Sequence, residues 1–162
     1  MTRVLFLKEI SNALFKGQML HKAEKVYMRM HEFFKGSDAK NNFVKEDMES
    51  QEYKDGMETL GGLKKVNLTN LAVINLKKKD NQKAIEFCNE CLELEPEHIK
   101  AQFLKGRALV DMTEFKKAIE VFQHLLETEP EHAEAQRELQ KANQLLKQYE
   151  NKSAQMAKKM FA

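Results

Sequence analysis

Apolar residues return along this chain in fixed blocks, with charged residues filling most positions between them. Lys83-Ala84-Ile85-Glu86 recurs 34 residues later as Lys117-Ala118-Ile119-Glu120, and Glu95-Pro96-Glu97-His98 recurs as Glu129-Pro130-Glu131-His132. Each block runs a large residue, a small one and a second large one at helical steps, then alanine and another large residue. Leu68, Leu71-Ala72, Asn75, Ala84 and Cys88 fill these slots ahead of Pro96, and Gln102, Lys105-Gly106, Leu109, Ala118 and Phe122 fill them ahead of Pro130. Leu7, Ile10, Ser11, Leu14, Ala23, Tyr27 and Met30 fall on the same ruler. Each block predicts two helices. The small residue sits where helix backbones come close, and the proline where a helix must stop. After Pro130, the residues Ala135, Leu139, Ala142, Leu146, Tyr149, Ser153, Met156 and Met160 step by three and four, one stripe on a long helix.

A period of 34 with these offsets resembles the tetratricopeptide (TPR) repeat. The resemblance implies an all-α fold: three TPR helix pairs stacked in a right-handed superhelix, a long C-terminal capping helix, and a concave groove that binds a partner. The expected divisions of this single domain are repeat one at 1–36, a polar insertion at 37–63, repeat two at 64–97, repeat three at 98–131 and the C-terminal helix at 132–162. The insertion follows from Ala23, which lies 61 residues before Ala84, 27 more than one period. The excess stretch holds Gly36, Asn41-Asn42, Gly56 and Gly61-Gly62 among dense charge. It reads as a polar surface connection that carries extra turns from its flanking helices.

Composition narrows the function. At 162 residues the chain is the size of one domain, and only 6 glycines and 2 prolines favour helices over hairpins. Basic and acidic residues number 27 and 25, so no whole-molecule field draws nucleic acid or a membrane. Val4-Leu5-Phe6-Leu7 is cut by Lys8 and is too short for a signal-peptide core or a membrane span. Two cysteines make no disulfide framework. A cytoplasmic or nuclear location is the expectation.

No residue set looks catalytic, and neither a cofactor nor a metal is expected. The five histidines are scattered, with His98 and His132 at equivalent turns. Cys88 and Cys91 form a Cys-x-x-Cys, but a zinc site needs four ligands and no second pair exists. A redox site needs a thiol activated at a helix start. These two fall mid-helix on buried slots, so core packing is the favoured reading. More telling are polar residues on the first helix of each pair. Lys8 and Asn12 share a helix face, Asn70 precedes Leu71-Ala72, and Lys100 opens the third repeat. On the concave side they would offer ammonium and amide donors to an acidic, extended peptide. Singly, such residues are ordinarily just solvated.

Leu7-Lys8-Glu9-Ile10-Ser11-Asn12, Asn70-Leu71-Ala72, Lys100-Ala101-Gln102-Phe103 and the tail Ala157-Lys158-Lys159-Met160-Phe161-Ala162 resemble the TPR domains of the large immunophilin co-chaperones, the forty-kilodalton cyclophilin and the large FK506-binding proteins. The resemblance covers essentially the whole chain. It implies a two-carboxylate clamp for the Glu-Glu-Val-Asp tail of heat-shock proteins 90 and 70, with Lys8, Asn12, Asn70 and Lys100 as the peptide-carboxylate binding residues. Leu104 stands where the family has arginine, a degenerate clamp position. Lys105, the auxiliary candidate, is one step of about 100° further round and is expected to point away from the groove. A lost charge-assisted bond is worth about 1.5–3 kcal/mol, so the resemblance implies a weakened clamp or a groove retuned to another acidic tail. The family also implies a peptidyl-prolyl isomerase domain, which this chain lacks, and a weak calmodulin reading for the basic segment Lys147 to Lys159. The alternatives to a co-chaperone adaptor are a TPR scaffold subunit with a different partner and the TPR fragment of an isomerase. The chain itself is not expected to be an enzyme.

Overall fold

The computed structural model describes residues 2–39 and 51–160. Among the described residues there are seven helices and no strand: α1 (Thr2–Lys16), α2 (Leu20–Ala39), α3 (Gln51–Lys77), α4 (Asn81–Leu94), α5 (Ile99–Asp111), α6 (Phe115–Thr128) and α7 (Ala133–Met160). They fall into two compact units, Met1–Lys79 and Asp80–Ala162. In the first, α2 packs against both α1 and α3; in the second, α4 to α7 each pack on the next in chain order. Helix α2 continues to Ala39 and α3 begins at Gln51, so residues 51–63 of the expected insertion belong to α3. Residues 40–50 of that insertion, and Phe161 and Ala162 of the family-like tail, lie outside the described residues.

One turn design closes α1, α3 and α5. Gln18, Lys79 and Thr113 have φ of 58°, 63° and 62°, and their spacings of 61 and 34 are those of the repeat ruler. The Met19 amide donates to the Leu14 carbonyl and the Glu114 amide to the Leu109 carbonyl, both at 2.9 Å. This is the six-to-one closure that a left-handed residue makes at a helix end. None of the three is glycine or asparagine, so each stores backbone strain, most of all the β-branched Thr113.

The repeated Pro and His residues set the next helix start. His98 Nδ1 accepts from the Ala101 amide and His132 Nδ1 from the Ala135 amide, both at 3.2 Å. The side-chain amides of Gln102 and Gln136 donate back to the Pro96 and Pro130 carbonyls at 2.9 and 2.7 Å. The two histidines are therefore helix caps, satisfying amides that the first turn leaves unpaired.

The core of the second unit joins Leu109, Val110, Phe115, Ala118, Phe122, Leu125, Ala135 and Ala142. Gly106 explains its small slot directly: a Cβ there would sit 2.5 Å from Cε1 of the buried Phe122 ring. Leu139, Leu145 and Leu146 extend the same contact, so the first half of α7 covers the core and Lys147 to Met160 project into solvent. Cys88 and Cys91 are free and buried in α4. Burial, with the neighbouring Cys91 thiol adding to it and Lys105 opposing, pushes the Cys88 thiol up to about 12. Such a thiol stays protonated at neutral pH.

Candidate peptide-binding site

The first unit brings two of the four expected residues, Asn12 and Asn70, to one buried hydroxyl. Lys8 and Asn12 lie one turn apart on α1, Asn70 lies on α3, and Tyr27 of α2 sits between the two asparagines with 1% of its surface exposed. The Tyr27 hydroxyl donates to Asn12 Oδ1 at 2.7 Å and accepts from Asn70 Nδ2 at 3.1 Å. Burial raises the Tyr27 pKa, against the smaller opposing effects of hydrogen bonds to Ser11 and Asn70. The phenol therefore remains a donor, and its single proton dictates the polarity of the chain of bonds. Asn12 must present its carbonyl oxygen inward, which leaves both of its amide hydrogens for an outside acceptor. Asn70 spends one amide hydrogen on Tyr27 and keeps the other. Ser11 Oγ donates to the Lys8 carbonyl at 2.9 Å, while the half-buried Lys8 ammonium makes no ion pair among the described residues. Unspent amide hydrogens of this kind suit an anionic acceptor.

Sequence reasoning named Lys8, Asn12 and Asn70 as candidates but treated Tyr27 only as a repeat residue. The available signal was chemical: a tyrosine in a slot that the third repeat fills with Phe122 brings a hydroxyl that must be paired when buried.

The remaining candidates belong to the second unit. Lys100 is exposed near the start of α5. Leu104, one turn on, is 6% exposed and belongs to the packed interior. Lys105 lines a cleft of about 450 Å³ with Gln82 and Ile85 of α4 and Glu120 and Val121 of α6. On α5 the face of Lys100 continues to Phe103 and Arg107. The Arg107 guanidinium carbon stands 5.9 Å from the Phe103 ring centroid, and the His132 ring stacks on Phe103 at 5.3 Å with 27° between planes. No set of three or more His, Cys, Asp or Glu residues that could hold a metal ion occurs among the described residues. None of the described helices is long and apolar enough to cross a membrane.

The model of the tetratricopeptide repeat family matches residues 75–142. The chain has a TPR-type helical repeat fold. Solved TPR structures extend the likeness to nearly the whole chain. The C-terminal TPR-containing domain of an FK506-binding protein from Plasmodium falciparum superposes with a TM-score of 0.76 at 20% identity, over 91% of each chain. The first TPR domain of human RPAP3 gives 0.67 at 26% identity, over 91% of this chain and 95% of that one. The first TPR of Spaghetti (RPAP3), solved bound to the HSP90 peptide SRMEEVD, gives 0.66 at 25% identity, over 90% and 94%. The TPR fold is a non-catalytic interaction fold.

Proposed function

We propose that this TPR module is a co-chaperone-type adaptor that captures the acidic C-terminal peptide of heat-shock protein 90 or 70. The observation that carries the reading is the Asn12–Tyr27–Asn70 hydrogen-bond chain, which leaves amide hydrogens of both asparagines unspent, with Lys8 one turn from Asn12 on α1. In this reading Lys8, Asn12 and Asn70 hold the terminal carboxylates, and Lys100 adds a cation for the same peptide. The structural likeness to a TPR bound to SRMEEVD supports it. Titration with SRMEEVD as free acid and as C-terminal amide tests it. The free acid should bind and weaken with added salt, because partly exposed ion pairs are screened. Lys8→Ala should weaken binding with no change in helix content. Equal binding of acid and amide would refute the carboxylate reading.

A further inference from the structure

A residue's place in the repeat shows what covers it in the interior of the stack. In α3 the Asn70 side chain meets Tyr27 of α2. Asn67 and Ile74 lie one turn to either side of Asn70 on the same face, so α2 covers them too, and they are 1% and 0% exposed. The repeat spacing of 61 matches these two residues to Phe6 and Ala13 of α1, and the buried Leu71 to Ile10. In α5 the matches to Phe6 and Ala13 are Ala101 and Ala108, both fully buried. Yet Phe6 is 62% exposed, Ala13 is exposed and Ile10 is half-buried. The first helix pair thus carries a repeat-to-repeat face that stays open among the described residues.

The second unit shows what closes such a face. There Gln82 and Ile85 of α4 wall the cleft whose other side holds Lys105 and Leu109 of α5 and Lys117 and Val121 of α6. The first-unit matches to those last four are Ile10, Leu14, Lys22 and Val26. Helix α4 is amphipathic and acidic: Ala84, Phe87, Cys88 and Cys91 are buried, and Glu86, Glu90 and Glu93 stand against Lys83. The open face has the opposite rim. Lys22 and Arg29 of α2 are exposed and make no ion pair among the described residues, with Glu9 of α1 as the opposing charge. In the third repeat the match to Arg29 is His124, whose Nε2 stands 3.9 Å from Oε1 of Glu97, just beyond α4.

We infer that the face formed by Phe6, Ile10, Ala13 and Val26 docks an acidic amphipathic helix of a partner protein, laid on α1 as α2 lies on α3 and α4 on α5. Its apolar stripe covers Phe6 and Ile10, and a carboxylate near its C-terminal end meets Arg29. A second copy offers no such helix. The half of α7 that projects into solvent carries Lys147, Lys152, Lys158 and Lys159 against Glu150, and Lys22 and Arg29 repel it. Lys8 and Asn12 lie about 200° round α1 from Phe6 and Ile10 respectively, so this surface is separate from the proposed peptide site.

The probe is a peptide of residues 80–97, the sequence that covers the matching face of α5, with alanine at both cysteines and a staple joining the exposed positions 89 and 93. It should bind wild type, and Phe6→Asp and Val26→Asp should each weaken it about tenfold. Arg29→Glu should weaken it about threefold, and a probe with lysine at position 97 should recover that loss. Since Phe6 is exposed, Phe6→Asp should leave both the thermal melt and SRMEEVD binding unchanged, which separates this surface from the peptide site. If wild type does not bind the probe, or Phe6→Asp binds it equally well, the inference is overturned and the proposed function stands. A wild-type dimer in sedimentation that Phe6→Asp dissociates would assign the face to a second copy and overturn the inference as well.

Discussion

Replacing Tyr27 by phenylalanine removes one oxygen from the centre of the first unit. That oxygen makes two hydrogen bonds, to Asn12 at 2.7 Å and from Asn70 at 3.1 Å, on a residue 1% exposed. A net hydrogen bond contributes about 0.5–1.5 kcal/mol. Asn12 and Asn70 are half-buried, so water recovers part of what they lose, and a stability cost of about 1–2 kcal/mol follows. Binding should suffer separately. Freed from the hydroxyl, both amides must be ordered by the peptide, at about 0.5–1.5 kcal/mol for each side chain. Together that is about 1–3 kcal/mol, an affinity loss of roughly five- to 150-fold. Urea denaturation measures the first effect and calorimetric titration with SRMEEVD the second. On an Asn12→Ala background the same change should weaken binding much less, because one of the two amides it orients is already gone. Tyr27→Phe that lowers stability yet leaves the dissociation constant unchanged would show that the hydroxyl does not position the donors, and the reasoning would fail.

Three further outcomes can be measured. Gly106→Ala places a methyl group 2.5 Å from the Phe122 ring and should destabilise despite its gain of about 1 kcal/mol in helix propensity; overpacking costs about 1–3 kcal/mol, and Phe122→Leu should partly rescue it, a coupling that a double-mutant cycle in urea detects. Thr113→Asn should raise the melting temperature, with a gain of about 0.5–1 kcal/mol, because asparagine accepts the left-handed conformation at φ 62° that a β-branched residue resists; a lower melting temperature would contradict the strain argument. Cys88 is an acid whose folded pKa is raised to about 12 from the usual 9.0, so its neutral form contributes stability that is complete below the unfolded value. That contribution should disappear as pH climbs from about 9 to about 12, and Cys88→Ala should flatten the loss in a pH series of denaturation curves.

Periodicity alone carried most of the fold. The 34-residue ladder placed every helix pair, the stop at each proline and the equivalence of His98 with His132, because helical repeats are built from local contacts whose spacing is written in the chain. The same local rule set Lys8 and Asn12 on one face. It did not reach Tyr27, whose role depends on α1 and α3 both being packed on α2, so that residues 15 and 43 positions away meet at one hydroxyl. Local spacing also set Leu104 on the face of Lys100, one turn on. A helix alone cannot say which flank of a stripe is covered; packing decided that, burying Leu104 and leaving Lys100 and Arg107 exposed. Sequence determined which side chains lie on each helix, and tertiary structure determined which of them still meet solvent and which polar atoms must find one another inside.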